Sequence, residues 1–451
     1  MATTHAPPPE APSQAGSSPA SHPGPTHRHS GRARSFAAVL VVVVVTFLVY
    51  WASPVRLETD SFWTVYTARS LVARGDVNLD EYHAIYDRSG QFQVEAIGGH
   101  HYYQEPLAAS LTSVPIVAIA SIINGPGLEQ RLAGRHAKPL DGIVAAVIAA
   151  LAAGMTFTVI RRITPRRGVA LAVTGVLAFG TQAWSTASRT TWTHGPSMLC
   201  LALALYCALR VRESPRWFSA LGATLAYAYF VRPTNVVPLL IFAVWAAQHG
   251  RRPLIRFATG AAGVTLAILT LNMVLYGRLL QPYFRASRPG LSTVTVEALI
   301  GNLVSPSRGL LVFVPATLLC GYGAWLRRRS GSWTSLDTAV GATVVGYWIL
   351  VSLVPPWWAG WSYGPRFLTD VAPLLVWFLP PAFERAFAPA APGGRRSLAF
   401  PLVASLLVLA SVAIQARGAL DEATVDWNWS PADITSHPGR VWDWADPQFL
   451  R

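Results

Sequence analysis

The chain has 451 residues, 52% of them hydrophobic and only 13% charged, with a formal net charge of +14. This is too apolar for a soluble globular protein and fits a chain that crosses a membrane many times. Arginine carries almost all of the positive charge, Lys138 being the one lysine, and it lies in short stretches between apolar segments, so no nucleic-acid partner is expected.

Residues 1–35, rich in Pro, Ser, Ala and His, cannot build a core and are expected to be a disordered cytoplasmic tail. A spanning helix needs about 20 apolar residues. Candidates lie at 36–54, 140–160, 169–186, 196–209, 218–231, 234–248, 258–275, 309–326, 337–354, 367–383 and 398–416. The expected fold is therefore an all-α polytopic membrane domain over 36–416 with about 11 transmembrane helices, 12 or 13 being the alternatives. Residues 107–123, with Pro115 inside, are expected to enter the membrane only part way, because a lone full crossing there would reverse every later loop. The cysteines Cys200, Cys207 and Cys320 all lie in apolar segments and read as small buried residues.

The loops alternate in charge. One set holds Arg161, Arg162, Arg166 and Arg167, then Arg210, Arg212 and Arg216, then Arg251, Arg252 and Arg256, then Arg327 to Arg329, then Arg385, Arg395 and Arg396. The positive-inside rule puts these and the N-terminus in the cytoplasm. The other set, 55–106, 187–195, the turn at Arg232, 277–308, 355–366 and the Trp-rich tail 417–451, then faces outward from the cell membrane. It holds most of the acidic residues and many of the aromatic ones, so function is expected on the outer face.

The first outer loop, 55–106, is long enough to carry amphipathic helices of its own. In DSFWTVYTARSLVARGDVNLD, apolar residues recur at helical spacing, with Asp60 suited to the helix N-cap and Gly75 to its end. Glu58 and Asp60 stand just past the first apolar stretch. A carboxylate there is costly unless water, a cation or a ligand reaches it. Such a pair can supply a base or share a divalent cation such as Mg²⁺ or Mn²⁺.

The order of these features, with ARSLVARGDVNLDEY and then GGHHYYQEPLAASLTSVP, resembles the GT-C superfamily of membrane glycosyltransferases, in particular its protein O-mannosyltransferase and lipid A aminoarabinose transferase branch. Looser likeness extends through TTWTHGPSMLCLALALY, AYFVRPTNVVPLL, SPSRGLLVFVP and WSYGPRFLTDVAPLL. The resemblance implies transfer of a sugar from a polyprenyl-phosphate donor to a protein, lipid or cell-envelope glycan acceptor, among membrane lipids. It puts Asp60 in the place of the catalytic base, with Glu58 as its companion. Where relatives carry Lys before the proline, this chain has Gln104 and Glu105 before Pro106.

Glycosyl transfer needs a base near the acceptor hydroxyl and cations near the departing phosphate. Arg366 and Arg308 are the first candidates to hold phosphate, because arginine grips it bidentately. The competing reading is snorkelling to lipid headgroups. His101 is a third phosphate candidate. Trp361, Tyr363, Tyr103 and His194 are candidates to contact substrate, although an interfacial aromatic belt explains the aromatic residues equally well. No Walker loop, Rossmann glycine motif, CxxC or HExxH is present, as a lipid-linked donor would allow. Two other readings remain: a transporter or flippase, which calls for broken helices and ionisable groups within spans, and a non-catalytic GT-C relative.

Overall fold

The computed structural model describes residues 2, 25–57, 60–89, 93–125, 127–128, 132, 138–284, 296–389 and 397–451. The chain divides into two compact units, Met1–Ala38 and Val39–Arg451. Of the first, the described part is almost entirely helical, belonging to the helix Pro25–Ala52; the expected disorder of the tail falls largely outside the described residues.

Most of the second unit is helical. Among the described residues of the whole chain, six helices are long and apolar enough to cross a membrane by length and composition: Ser35–Ala52, Leu107–Asn124, Pro139–Ile163, Arg251–Tyr276, Ser335–Ser352 and Ala399–Leu420. Arg167–Gly180, Trp217–Val231 and Pro233–Gln248 are shorter apolar segments. The all-α polytopic class stands, but eleven uninterrupted spanning helices are not what forms. The segment 309–326 divides at Pro315 into Leu310–Phe313 and Thr317–Arg329. The segment 367–383 divides into Arg366–Leu368, Ala372–Val376 and Pro380–Ala386, the last two each opening on a proline in their first turn. Proline lacks the N–H that would continue a helix and clashes with the preceding turn. Leu107–Asn124 runs unbroken through Pro115. At 1.5 Å per residue it is about 27 Å long, long enough to cross by length and composition.

Trp217–Val231 and Arg251–Tyr276 touch backbone to backbone. A Cβ on Gly222 would lie 2.0 Å from the Phe257 carbonyl oxygen, and one on Gly260 would lie 1.9 Å from that of Ser219. Small residues at such crossings substitute for a hydrophobic driving force that lipid does not supply.

The first outer loop folds as a small body. Its helix, Thr64–Arg74, ends at Gly75 in the left-handed region (φ 75°), as expected. The expected N-cap does not form: the N-cap position is Trp63, without a side-chain cap, because the chain makes a turn over 60–63 before the helix begins. A hairpin unforeseen in the sequence, Val94–Ile97 with His100–Tyr103, turns at Gly98 and Gly99, both with positive φ. A two-residue turn of this kind needs φ > 0 at both central positions, which glycine adopts at no steric cost. Trp63, Tyr66, Leu79, Tyr82 and Tyr86 pack with Val117, Val144 and Ile148, seating the loop on two of the long helices. The C-terminal tail folds back as well: Trp427, Ile434 and Val441 pack with Ala298 and Trp357.

Candidate active site

Asp60 lies in the turn that enters the loop body. Its carboxylate takes a hydrogen bond from Gln93 Nε2 at 3.2 Å and pairs loosely with Arg366 Nη1 at 3.5 Å. Its side chain remains 44% exposed, so a reactant can reach it. The turn itself is pinned by neighbours: the Tyr103 hydroxyl donates to the Asp60 carbonyl, and the Ser61 hydroxyl bonds that of Thr190 at 2.6 Å. Thr191 in turn donates from its backbone N–H to Asp141 at 3.2 Å, and from its hydroxyl to the same oxygen. Asp141, at the head of the helix Lys138–Ile163, thus fixes the strand of chain beside Asp60.

Arg366 opens the short turn Arg366–Leu368. Its guanidinium lies 4.5 Å from the Trp192 ring centre and 5.6 Å from that of Phe367. Burial pushes its pKa down, while the charges of Asp60 and Glu105 act upward and that of Arg232 downward. Among the described residues its Nε has no hydrogen-bond partner. Arg232 approaches the same Phe367 ring, 5.5 Å from its centre. The arrangement thus sets one guanidinium beside a part-exposed carboxylate and a second against the same Phe367 ring.

Behind Arg232 stands Asp370, wholly buried. It pairs with Arg232 Nε at 3.0 Å and His194 Nδ1 at 3.1 Å, and accepts from the Tyr347 hydroxyl. The sequence reading passed over Asp370 and Asp141, although each is a carboxylate at the edge of or within an apolar stretch, which is itself a signal.

The other sequence candidates fall elsewhere. Arg308 is 1% exposed and spends five donor contacts within the protein: on the carbonyls of Trp358 (2.8 Å), Ser307 (2.7 Å) and Gly360 (3.3 Å), and on the side-chain oxygens of Gln448 (2.6 Å) and Asn428 (2.8 Å). A guanidinium has five N–H donors, so Arg308 has none left for a phosphate; it anchors the tail. Burial pushes its pKa down, with Arg366 and Arg440 adding to the effect. Tyr363 is buried, its hydroxyl donating to the Ile414 carbonyl at 2.6 Å and its ring against Phe313, so it packs and does not face a substrate. Trp361 is exposed but turns toward the tail, with Trp429 at 6.0 Å and Asp433 at 3.5 Å. His101 is tied to Asp80 at 3.3 Å and to Tyr86 at 3.2 Å, bracing the hairpin. Tyr103 is buried against Thr64, with its hydroxyl on the Asp60 backbone. His194 is buried in the Asp370 cluster and cannot meet a substrate directly. Glu58 lies outside the described residues.

No group of three or more His, Cys, Asp or Glu among the described residues could hold a metal ion. The Asp60 carboxylate does not suit a divalent cation, because the guanidinium of Arg366 beside it would repel one.

The fold and this cluster define a polytopic helical membrane protein with an ionic site where its first long loop meets the helix ends. No family model matches the chain, and no curated protein matches it. Among solved structures, the crystal structure of ArnT from Cupriavidus metallidurans bound to undecaprenyl phosphate is similar to it over 92% of this chain and 75% of that one, at 15% identity and a TM-score of 0.49.

Proposed function

We propose that this chain transfers a sugar from a polyprenyl-phosphate donor to an acceptor at the outer face of the cell membrane, with the N-terminus cytoplasmic and the membrane domain at 36–416. The observation that carries the reading is the pairing of Asp60, part-exposed and held by its backbone, with Arg366, whose Nε has no partner among the described residues, near Arg232. Asp60 acts as the base that takes the acceptor hydroxyl's proton. Arg366, with Arg232 behind it, holds the phosphate whose bond to the anomeric carbon breaks. Fixed guanidiniums aimed where negative charge develops lower the barrier without reorganising. The tail 417–451, anchored on Arg308, borders the acceptor side.

One observation favours a second reading, a carrier for a lipid-linked substrate: two expected spans are broken at prolines, and Asp370 lies in one of them. Against it, Asp370 is already satisfied by Arg232, His194 and Tyr347, with no exposure to a passing cargo. Membranes carrying wild type or Asp60→Asn, supplied with a set of radiolabelled polyprenyl-phosphate sugars, decide between the readings. Transfer by wild type and its loss in the variant support the enzyme; equal movement of labelled lipid across the bilayer in both, with no transfer by either, supports the carrier.

A further inference from the structure

The buried cluster behind Arg232 has a hydrogen-bond logic that can be followed proton by proton. Arg232 Nη1 lies 3.3 Å from His194 Nε2 and 3.2 Å from the Thr193 hydroxyl. A guanidinium can only donate, so His194 Nε2 accepts. The ring proton therefore sits on Nδ1, where it donates to Asp370 Oδ1 at 3.1 Å. His194 is a neutral bridge between the cation and the anion. A second path closes the ring: Arg232 Nε donates to Thr234 Oγ1 at 3.1 Å, that hydroxyl lies 2.7 Å from the Tyr347 oxygen, and Tyr347 donates to Asp370 Oδ2. Each of these donors finds an acceptor, which is the condition for a buried polar network to rigidify its members rather than destabilise them.

The connections are long in sequence. Asp370 follows Arg366 in one short stretch; Arg232 ends the helix Trp217–Val231; His194 begins His194–Arg210; Tyr347 belongs to Ser335–Ser352. One carboxylate thus joins four chain segments next to the ionic site. Hydrogen bonds to Thr234, Thr193 and His194 occupy Nε and Nη1 of Arg232, Asp370 lies against Nε as its ion-pair partner, and the Arg232 side chain keeps 14% exposure.

We propose that Asp370 is a positioning residue, acting with His194 and Tyr347 to hold Arg232 by its Nε and Nη1 so that Nη2 is presented, beside Arg366, to the phosphate of a lipid-linked ligand. The inference rests on the reading of Arg366 and Arg232 as the phosphate site. It also assigns the cluster's charge: Asp370 cancels that of Arg232 at short range, so Arg232 contributes direction and Arg366 supplies the net attraction. A misdirected Arg232 then costs affinity in His194→Phe, where the charge of the site is unchanged, and in Asp370→Asn even though the net positive charge rises by one.

The test uses the full chain in lipid nanodiscs, with a polyprenyl monophosphate as the probe and thermal unfolding measured in parallel. Arg232→Met and Asp370→Asn are expected to raise its Kd at least tenfold in protein that remains folded. His194→Phe is expected to do so by several-fold, and His194→Asn, which keeps a donor toward Asp370, by less. Folded Asp370→Asn with wild-type affinity beside a weakened Arg232→Met overturns the positioning role. Wild-type affinity in Arg232→Met with loss in Arg366→Met does the same. If Asp370→Asn fails to fold, His194→Phe carries the decision: unchanged affinity there overturns the proposal. Failure of wild type itself to bind the probe overturns the phosphate site, and with it this inference.

Discussion

Replacing Arg308 by Met separates the reading of that residue as a tail anchor from its reading as a phosphate holder. The side chain donates to three backbone carbonyls and two amide oxygens, and no carboxylate among the described residues pairs with it. Gln448 depends on it: its Oε1 accepts from Arg308 and from the Gly364 N–H at 3.1 Å, while its Nε2 donates to the Ser362 and Thr424 carbonyls, both at 2.8 Å. Each buried acceptor left without a donor costs roughly 1–3 kcal/mol, while deleting a buried cation removes its desolvation penalty. Allowing for both, the net loss is about 3 kcal/mol, at the low end of the range for breaking a buried charged network. When local opening is fast relative to cleavage, proteolysis follows the open population. A loss of that size then speeds cleavage within 417–451 on the order of 100-fold. Limited proteolysis of the purified protein, with polyprenyl monophosphate binding measured on the intact fraction, reads both quantities. Unchanged protection of the tail together with lost lipid-phosphate binding would refute the anchoring argument.

Asp60→Asn keeps the size of the side chain and its bond to Gln93 can re-form, so folding should be retained while transfer falls by roughly 10²- to 10⁴-fold, the usual worth of a general base; single-turnover transfer measures it, and a loss under threefold would remove Asp60 from that role. Gly222→Ala places a methyl group 2.0 Å from a backbone oxygen that has no rotamer to escape into, so the helices must separate, at a cost of about 1–3 kcal/mol; a thermal midpoint equal to wild type would show the crossing to be looser than this. Burial raises the Asp80 pKa, but hydrogen bonds from His100 and from the ring and backbone of His101 outweigh it and hold it below the usual carboxylate range. A carboxylate depressed in the folded state contributes stability that is complete above its unfolded pKa, about 4, and is lost as pH falls through the folded value. Exchange protection of the His101 N–H, which donates to Asp80 at 2.9 Å, should therefore fall below about pH 4; protection that stays level through that window would show the hairpin to be held by other contacts.

Local signals were strong enough to read the helices and one cap. Apolar runs marked most of the helical segments, and Gly75 marked the end of Thr64–Arg74 because a left-handed residue is needed there. Hydropathy could not show that 309–326 and 367–383 break, since Leu, Val and Phe on either side of Pro315 or Pro380 score alike whether or not the backbone is continuous; the prolines were the signal and composition masked them. The hairpin has a signal in Gly98–Gly99 between alternating residues, which the helical spacing earlier in the same loop overshadows. Asp370 could not be paired with Arg232 from sequence, because the contact joins residues far apart in the chain.

Outward-lying arginines looked alike in sequence, as cations awaiting either a phosphate or a lipid headgroup, and folding divides them by how many donors remain. Arg308 spends all five on internal acceptors. Arg189, also buried, donates to the carbonyls of Ser53 and Tyr50 and to the Ser188 hydroxyl, closing the end of the helix Pro25–Ala52. Neither reaches a headgroup, so snorkelling does not describe them. Arg232 is held along one edge. Arg366 has a loose ion pair at 3.5 Å, an aromatic face at 4.5 Å and an Nε with no partner among the described residues. A buried cation with donors left over is expensive unless something anionic completes it, and that cost, more than its place in a motif, is why the ligand's phosphate is assigned to Arg366.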